Sequence, residues 1–435
     1  MSVQKFFSDK TGIALLFMIT VLVVACKKDD DAPPAPPADP TGVTFTDIKA
    51  KSFTVNWNAA ADVTNFLLYV ATDTGFTKPV AGFNPKAVTG NSQVVDNLQK
   101  TTKYYVKLQS YNEGVKSIGV TASVTTKDVD VFVAGYEMNA QFYIMPTYWK
   151  NGTATRLIFP PVSNESSATG IFVSNDDVYV SGYEKGTNPV QTAAYWKNGT
   201  LVSLPRDSNR SVANSIFVSG SDVYVAGAEG NSRAKYWKNG NKVDLGNTPF
   251  YSTANSVFVS GNDVYVAGFE SNNARFVAKY WKNGNQVTLT DGTKDALAMS
   301  VFVVGNDVYV AGREANVAKY WKNGTPVALT DSSHYTALAY SIFVAGNDVY
   351  VAGVTMNSPG YMIAKVWKNG IATPLSDGTT NAWANSVFVV DNDVYVAGSH
   401  ENNGTNTVPK YWKNGNPVEL AGPTSRGQAT SIFVR

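Results

Sequence analysis

The chain has 435 residues, a formal net charge of +2 and only 16% charged residues, a balance that gives no electrostatic footprint for a nucleic-acid partner. Aromatic residues make up 12% and glycine is abundant, which favours an all-β protein with many tight turns. Only one cysteine is present, so an internal disulfide is excluded and the fold has to be stable without one.

Residues 1–26 are typical of a secretory signal. Lys5 and Lys10 supply a positive start, and the apolar stretch over residues 13–25 is shorter than the roughly 20 residues that span a membrane. The segment ends in Val-Val-Ala ahead of Cys26, which resembles the bacterial lipobox. The resemblance implies that Cys26 is lipidated and anchors the protein in a membrane through its acyl chains. The alternative is a free cysteine that ends an ordinary signal peptide.

Residues 27–40 predict an extended linker. An acidic run over residues 29–31 is followed by a stretch with five prolines, which favours a semi-rigid spacer. An acidic run just after the cysteine resembles export signals that send lipoproteins to the outer face of the outer membrane in Bacteroidetes-type bacteria. The resemblance implies exposure at the cell surface, and the alternative is a merely soluble linker.

Residues 41–127 predict a small β-sandwich, because apolar and polar residues alternate over residues 52–57 and 104–108. The segment resembles a fibronectin type III domain, and the residues that carry the resemblance are Trp57, residues 66–70, Leu98, Thr102 and Tyr104. The resemblance implies a tyrosine corner, in which the Tyr104 hydroxyl bonds back to the backbone, although Lys100 replaces the usual proline. We expect this domain to lift the C-terminal part off the membrane.

From residue 128 one pattern recurs about every 44 residues, which identifies a repeat architecture. The first signature, typically Asp-Val-Tyr-Val-Ala-Gly, begins at Asp130, Asp177, Asp222, Asp263, Asp307, Asp348 and Asp393. The second, typically Tyr-Trp-Lys-Asn-Gly, is centred on Trp149, Trp196, Trp237, Trp281, Trp321, Trp367 and Trp412. The third, typically Ser-Ile/Val-Phe-Val, contains Phe172, Phe217, Phe258, Phe302, Phe343, Phe388 and Phe433.

Each repeat predicts a four-stranded blade. The Phe-bearing run is apolar throughout and should be the inner strand, buried on both faces. The Asn-Gly pair after each Trp suits the positive φ angles of a type I′ hairpin turn. The fourth strand should lie at an exposed edge, because it accommodates Pro326, Pro374 and Pro417.

The phase of the repeats predicts a closed ring. The series opens at Asp130 without a Phe-bearing strand and ends with such a strand, residues 431–434, that has no continuation. The C-terminal strand should therefore complete the first blade, whereas an open solenoid would need end caps that are not visible. The predicted fold is all-β: a fibronectin type III sandwich, then a seven-bladed β-propeller over residues 128–435. Each blade resembles a kelch-type unit in its topology, with one glycine in place of a pair.

The loops between second and third strands and between blades vary, whereas the other two turns of each blade are uniform. Variable loops on a rigid scaffold usually carry binding specificity, so their face is the predicted binding face. Immediately before each predicted inner strand stands a polar or bulky residue that should ring the channel mouth, in the order Thr169, Asn214, Asn255, Met299, Tyr340, Asn385 and Thr430. This ring suits hydrogen bonding to a sugar or peptide, and the alternative is capping of loop backbone.

Two further sets of residues fall on the same predicted face. A carboxylate recurs at one repeat position, in Glu137, Glu184, Glu229, Glu270 and Glu314. These side chains would suit a cation or a basic partner, or they pair instead with Lys235, Lys279 and Lys319. Aromatic residues outside the repeat are Tyr143, Tyr183, Phe250, Tyr251, Phe269, Tyr335, Tyr361 and Trp383. Trp383 is the strongest candidate for stacking on a sugar, with loop packing as the alternative, whereas the repeated Trp residues should be blade-to-blade core.

Catalytic motifs are scarce. The histidines are His334 and His400, and the chain has no phosphate-binding loop, zinc-protease motif or serine-hydrolase motif. We therefore predict a non-enzymatic surface lipoprotein that binds a glycan or a protein, as a monomer without cofactor, metal or nucleic-acid partner. The alternatives are a structural envelope scaffold and a polysaccharide-degrading propeller enzyme that uses carboxylates at the channel mouth.

Overall fold

The computed structural model describes residues 34–58, 63–157, 166–185, 190–207, 210–230, 233–246, 250–333, 336–356, 360–402, 406–422 and 424–435. The predicted signal with Cys26 lies outside the described residues, as do His334 and Tyr335. Within these ranges no helix is long and apolar enough to cross a membrane. The chain divides into two compact units between Lys127 and Asp128, and each unit is described by itself.

The N-terminal unit is a sandwich of two antiparallel sheets. Its strands are β1 (Thr41–Thr46), β2 (Phe53–Asn58), β3 (Asn65–Ala71), β4 (Lys86–Thr89), β5 (Ser92–Val95), β6 (Lys103–Asn112), β7 (Val115–Lys116) and β8 (Val120–Thr125). One sheet has the order β1-β2-β5, and the other has the order β4-β3-β6-β7 with β8 paired to β6. Trp57 and Tyr104 lie in the shared core, because alternate residues of a strand point to the same side. The Tyr104 hydroxyl accepts a hydrogen bond from the Gln99 N–H at 2.8 Å, which confirms the predicted tyrosine corner.

The C-terminal unit contains seven four-stranded antiparallel sheets, which are the blades of a β-propeller. From the inner to the outer strand, blade 1 contains β36 (Arg426–Val434), β9 (Val131–Met138), β10 (Ile144–Lys150) and β11 (Thr153–Arg156). Blade 2 contains β12 (Ser167–Ser174), β13 (Asp177–Lys185), β14 (Gln191–Lys197) and β15 (Thr200–Ser203). Blade 3 contains β16 (Ser211–Ser219), β17 (Asp222–Glu229), β18 (Arg233–Lys238) and β19 (Asn241–Asp244). Blade 4 contains β20 (Ser252–Ser260), β21 (Asp263–Ser271), β22 (Phe276–Lys282) and β23 (Asn285–Thr288). Blade 5 contains β24 (Ala296–Val304), β25 (Asp307–Glu314), β26 (Val317–Lys322) and β27 (Thr325–Ala328). Blade 6 contains β28 (Ala337–Ala345), β29 (Asp348–Met356), β30 (Met362–Lys368) and β31 (Ile371–Pro374). Blade 7 contains β32 (Ala382–Val390), β33 (Asp393–Asn402), β34 (Asn406–Lys413) and β35 (Asn416–Glu419).

The last strand of the chain closes the ring. Strand β36 pairs antiparallel with β9 and places Phe433 opposite Phe132. The backbones of Asp130 and Arg435 exchange two hydrogen bonds, of 2.7 and 3.1 Å, at the end of this pairing. The closure predicted from the phase of the repeats is therefore confirmed, and the fold is the predicted sandwich followed by a seven-bladed propeller.

A ring of phenylalanines surrounds the propeller axis. Ring centroids of neighbouring inner strands are 4.6–5.0 Å apart, and Phe433 bridges Phe388 and Phe172, so the series closes on itself. We call this ring of seven residues the Phe collar. It forms a continuous apolar lining, because tilted aromatic pairs at these distances are in mutual contact.

Each repeated tryptophan is part of the core between two blades. Trp237 of blade 3 packs with Tyr179, Ala193 and Leu204 of blade 2. The cores that contain Trp196, Trp281, Trp321, Trp367 and Trp412 follow the same pattern. All seven of these Trp side chains are at most 2% exposed. Each therefore stabilises a blade junction through the large apolar area that it removes from water, as predicted.

Every inner strand contains a β-bulge near its beginning, and this bulge explains the Ala-Gly pair of the repeat. The pairing of β16 with β17 shifts between Ala213 and Ser215, and the other six blades show the same shift. The bulge brings the Val212 carbonyl oxygen to 1.9 Å from where a Cβ on Gly227 would lie. Only glycine fits under that carbonyl.

Serine hydroxyls join neighbouring inner strands. The Ser215 Oγ of blade 3 accepts a hydrogen bond from the Val257 N–H of blade 4 at 3.2 Å, and five other junctions repeat this bond. Blade 2 differs, because Gly170 stands at the serine position and Ser181 stands opposite it, where the other blades have alanine. A Cβ on Gly170 would lie 2.8 Å from the Ser181 Oγ, so the hydroxyl of Ser181 occupies the space of the missing side chain.

One face of the propeller carries the turns between inner and second strands and between third and fourth strands; we call it the uniform face. On it the Asp222 carboxylate pairs with Lys238 at 2.8 Å and accepts a hydrogen bond from Asn239 at 2.7 Å. The Asn239 Oδ1 accepts the Val223 N–H at 2.8 Å, and Asn239 and the following glycine have φ angles of 49° and 81°. This clamp recurs in all seven blades and confirms the predicted type I′ turns.

Candidate functional site

The opposite face, which we call the variable face, carries the loops that differ between blades. Two positions of each inner strand stand at this end of the channel. The first is the rim position, occupied in chain order by Ser167, Val212, Thr253, Leu297, Leu338, Trp383 and Gln428. The second is the bulge position, occupied by the predicted ring Thr169, Asn214, Asn255, Met299, Tyr340, Asn385 and Thr430. The Asn214 Nδ2 lies 3.4 Å from the Thr253 hydroxyl, so the two positions meet between adjacent blades.

Five of the bulge residues are polar, and each donates a hydrogen bond to backbone in the next blade. Asn214, Asn255 and Asn385 donate from Nδ2 to alanine carbonyl oxygens at 2.8–2.9 Å. Thr169 and Thr430 do the same through their hydroxyls, at 2.8 and 3.1 Å. These bonds agree with the predicted alternative in which the ring residues cap backbone groups, and the capped backbone belongs to the neighbouring blade. The amide oxygens of the three Asn residues have no protein partner within the described residues, so they are acceptors that a ligand can use.

The remaining bulge residues change the character of one side of the channel mouth. Met299 and Tyr340 replace the polar side chains in blades 5 and 6, and the rim residues of blades 5 to 7 are Leu297, Leu338 and Trp383. All five side chains are partly exposed. We call them the apolar arc. Around the rest of the mouth, the bulge residues of blades 7, 1, 2, 3 and 4 are all polar, and Val212 is the one apolar rim residue of blades 1 to 4. The mouth therefore has a mainly apolar and a mainly polar side.

Tyr340 is the one titratable side chain of the apolar arc. Burial raises the pKa of its hydroxyl above the ordinary tyrosine value, and nearby Arg313 lowers it in part. Arg313 lies on β25 directly opposite Leu297 in the strand pairing, so a cation borders the arc on blade 5. Tyr340 is therefore a neutral hydrogen-bonding group at physiological pH.

The predicted ring of carboxylates does not form. Glu229 and Glu314 pair with Lys235 and Lys319 at 2.6 Å, and Glu270 pairs in the same way with Lys279. Burial acts to raise the pKa of Glu229, but hydrogen bonds from Lys235 and from the Asp207 N–H lower it overall. These glutamates lie at blade junctions, where each meets the lysine of its own blade, so the ion-pair alternative is correct for all three.

The other two glutamates of that set also stay within their own blade. Glu184 accepts a hydrogen bond from the Ser203 hydroxyl at 2.6 Å, and Glu137 stands on β9 opposite Met145 and Gly427. Within the described ranges no group of three or more His, Cys, Asp or Glu side chains could hold a metal ion. The five carboxylates are separated because each occupies the second strand of a different blade.

The aromatic residues outside the repeat do not form one surface. Phe250 and Tyr251 begin blade 4 with 37% and 46% exposure, and Phe269 lies beneath them at 9%. Tyr143 and Tyr361 are 40% and 38% exposed on blades 1 and 6, and Trp383 is part of the apolar arc. Sequence reasoning missed Arg275, Phe276 and Arg313, because their positions depend on loop lengths that repeat signatures do not report.

Comparisons with known proteins agree with this fold. Residues 38–127 match the fibronectin type III domain family. This segment is a fibronectin type III domain. The fibronectin type III domain of human fibronectin type III domain containing protein 3 has 20% identity, covers 22% of this chain and 92% of its own, and has a TM-score of 0.19. No curated protein sequence matches the chain.

Two further solved structures are similar to this chain. The β-propeller domain of the Trilobed protease from Pyrococcus furiosus has 10% identity, covers 89% of this chain and 98% of its own, and has a TM-score of 0.39. A puromycin-hydrolyzing peptidase from Mycobacterium tuberculosis has 12% identity, covers 60% of this chain and 47% of its own, and has a TM-score of 0.41.

Proposed function

We propose that this protein is a non-enzymatic binding protein whose propeller takes a glycan at the channel mouth of the variable face. The observation that carries the proposal is the two-sided mouth, with the apolar arc opposite the polar bulge residues. A binding site for a sugar needs both surfaces, because a pyranose has an apolar face and a hydroxyl-bearing edge. Sites of this kind combine apolar and aromatic walls with a few well-placed polar groups.

Each side of the mouth has a defined part in the proposal. Trp383 and Tyr340 supply aromatic surface for the apolar face of the sugar, and Leu338 adds apolar surface from the same strand as Tyr340. The amide oxygens of Asn214 and Asn255 accept hydrogen bonds from sugar hydroxyls, while their Nδ2 groups stay bonded to backbone. These Asn side chains are held by the neighbouring blade, so they lose little conformational entropy on binding.

We propose further that the propeller acts at the cell surface. In this view Cys26 carries the lipid anchor in the outer membrane, and the linker and fibronectin type III domain act as the spacer. This part of the proposal rests on the lipobox-like residues alone. Labelling intact cells with radioactive palmitate tests it, because wild type should carry label and Cys26→Ala should not.

The binding site is tested with the detergent-solubilised full chain on an array of oligosaccharides. We expect saturable binding to at least one glycan, and Trp383→Ala should weaken that binding by about tenfold, equivalent to about 1.4 kcal/mol of lost contact. Ile371→Ala is the matched control, because Ile371 is 75% exposed on an outer strand of blade 6, away from the channel mouth.

The outcomes separate the proposal from its rivals. Binding that survives Trp383→Ala unchanged would contradict the channel-mouth site. Binding to an immobilised protein but to no glycan would replace the sugar with a protein ligand. Release of a shortened saccharide, abolished by a single Glu→Gln change, would show an enzyme in place of a binding protein.

A further inference from the structure

Blade 4 carries a cluster of aromatic rings on the variable face. The ring centroids of Tyr251 and Phe269 are 5.9 Å apart and nearly parallel, at 21°. Phe276 contacts both rings, at 5.0 Å from Phe269 and 5.9 Å from Tyr251. Phe269 is the buried base, whereas Tyr251 and Phe276 are 46% and 36% exposed. The two outer rings thus present apolar surface to solvent from a fixed base.

Backbone hydrogen bonds hold this cluster in place. The Ser271 N–H donates to the Tyr251 carbonyl at 2.7 Å, which ties the start of blade 4 to its second strand. The Asn272 side chain accepts the Arg275 N–H at 2.7 Å, and the Asp295 carboxylate accepts the Phe276 N–H at 3.0 Å. The exposed rings are therefore presented with little freedom to collapse onto the surface, which favours binding.

A cavity of about 310 Å³ opens beside the cluster, between blades 4 and 5. It is lined mainly by Arg275, Thr293, Lys294, Asp295, Arg313 and Asn316. The loop between β25 and β26 is two residues long, the shortest second-to-third-strand connection in the propeller. Asp295 links the cavity to the aromatic cluster, because its carboxylate lines the cavity and also accepts the Phe276 N–H at 3.0 Å.

The cavity has an excess of positive charge. Three cationic side chains line it, and Asp295 is the single carboxylate among its lining residues. The Arg275 Nη1 contacts the Asp295 carboxylate at 3.0 Å, so one cation is offset. The Arg313 Nε is buried and has no hydrogen-bond partner in the part of the chain that the structure describes. A buried donor without a partner is costly, and an anion in this cavity would satisfy it.

We propose that this site on blades 4 and 5 binds an acidic sugar, with the pyranose ring on Tyr251 and Phe276 and its carboxylate or sulfate among Arg275, Lys294 and Arg313. The inference rests on the proposed glycan-binding function and names the class of glycan. Arg313 connects the two sites, since it stands opposite Leu297 of the apolar arc. A chain of sugars therefore runs from the channel mouth outward over blade 5. Arginine suits the anionic end, because its planar donors match carboxylate and sulfate oxygens.

Matched pairs of oligosaccharides test the proposal with the full chain in detergent. One pair is oligogalacturonate and its carboxyl-reduced form, and the other is a sulfated galactan oligosaccharide and its desulfated form. We expect the acidic member of at least one pair to bind about tenfold more tightly than its neutral form, with the advantage reduced by salt. The pair that shows the preference identifies carboxylate or sulfate as the anion.

Two variants locate the effect. The double variant Arg275→Gln/Lys294→Gln changes exposed side chains, and it should abolish the acidic preference. Arg435→Gln is the matched control, because Arg435 pairs with Asp176 at 2.7 Å on the uniform face and should leave the preference intact. Tyr251→Ala should weaken binding of acidic and neutral forms alike, since stacking does not depend on charge.

Each outcome decides a different statement. Equal binding of acidic and neutral forms, lost in Trp383→Ala, overturns the acidic-sugar inference and leaves the proposed glycan-binding function standing. An acidic preference that survives Arg275→Gln/Lys294→Gln also overturns the inference. The absence of any saccharide binding would overturn both.

Discussion

The two faces of the propeller use the same repeat in opposite ways. On the uniform face the clamp seen at Asp222, Lys238 and Asn239 occurs in every blade, with Asn–Asp distances of 2.7–2.8 Å throughout. The Lys–Asp distance is 2.7–2.9 Å in six blades and 3.6 Å in blade 7. On the variable face the rim position has six different residue types in seven blades, from Ser167 to Trp383. The hairpins that hold each blade together are thus concentrated at one end, which leaves the other end free to differ from blade to blade.

The variable face nevertheless contains one constant element, the β-bulge. Its side chains change between blades, but the glycine beneath it is present in all seven. The variable face therefore keeps a constant backbone geometry in all seven blades, whereas the uniform face keeps a constant set of polar side-chain contacts. The experiments below test this contrast.

The largest effect is expected from glycine substitutions, one for each face. Gly227→Ala places a Cβ 1.9 Å from the Val212 carbonyl oxygen, and the bulge has to open to admit it. We expect the free energy of unfolding to fall by about 3 kcal/mol or more. Gly240→Ala, in the Asn-Gly turn of the same blade, meets no atom within 4 Å but keeps a φ angle of +81°. It should lower the free energy by only about 1 kcal/mol.

Urea unfolding of the full chain, followed by tryptophan fluorescence, measures both values. Equal losses for the two variants would contradict the contrast, because the close carbonyl at Gly227 would then cost no more than the positive φ angle at Gly240. The fibronectin type III domain gives an internal reference, since neither change touches it.

A smaller effect is expected where blade 2 departs from the repeat. Gly170→Ser crowds the Ser181 hydroxyl, and Ser181→Ala removes the hydroxyl that contacts Thr169 at 3.1 Å. Each single change should lower the free energy of unfolding by about 1 kcal/mol, as expected for one lost or crowded hydrogen bond. The double variant restores the Ser–Ala pairing of the other blades and should return to within about 0.5 kcal/mol of wild type. Additive losses in this double-mutant cycle would show that the two positions are independent.

The smallest change in the free energy of unfolding for a single blade is expected when acid protonates the clamp aspartate on the uniform face. The hydrogen bond from Lys238 holds the pKa of Asp222 below its usual range, and the same holds in blades 2, 4, 5 and 6. Because the folded pKa is lowered, the stabilisation is present above the unfolded Asp pKa of about 4 and is lost as pH falls through the folded value. Urea midpoints between pH 2 and pH 7 should therefore fall steeply below about pH 4.

Asp222→Asn checks the source of that acid sensitivity. The variant lacks one of the titrating carboxylates, so its decline between pH 5 and pH 2 should be shallower than that of wild type. A parallel decline in both proteins would place the acid sensitivity elsewhere in the molecule. Salt should reduce the difference, because these pairs are largely exposed.

Much of the fold follows from local sequence patterns. The Asn-Gly pairs predict the hairpins, because few other residues adopt positive φ readily, and the missing first Phe-bearing strand predicts the closure by β36. The bulge was not predicted, since it depends on register between two strands and not on one strand alone. Its signal was nevertheless present in the glycine that follows Ala or Ser in each second strand, such as Gly227.

The candidate site was harder to predict. Asn214 and its equivalents were placed at the channel mouth, but only coordinates reveal that their Nδ2 groups bond to the next blade. The five glutamates share a repeat position, which suggested a ring of carboxylates. Three of them instead form ion pairs with a lysine of the same blade, which was the alternative that the sequence left open. Arg313 and Phe276 lie on strands β25 and β22, but their residue types do not recur in the other blades, so no repeat signature identifies them.

The pairing of β36 with β9 has a consequence for how the chain is made. Thr430 and Ala134 are in contact across 296 residues of sequence, whereas every other blade assembles from one continuous stretch. Each doubling of a closed loop adds about 0.6 kcal/mol of entropic cost, so this contact is the most expensive to form early. During synthesis the inner edge of β9 stays without its neighbour until β36 is made, and such an edge pairs readily with other chains. Protection of nascent chains from one another is therefore a requirement that this architecture places on the cell.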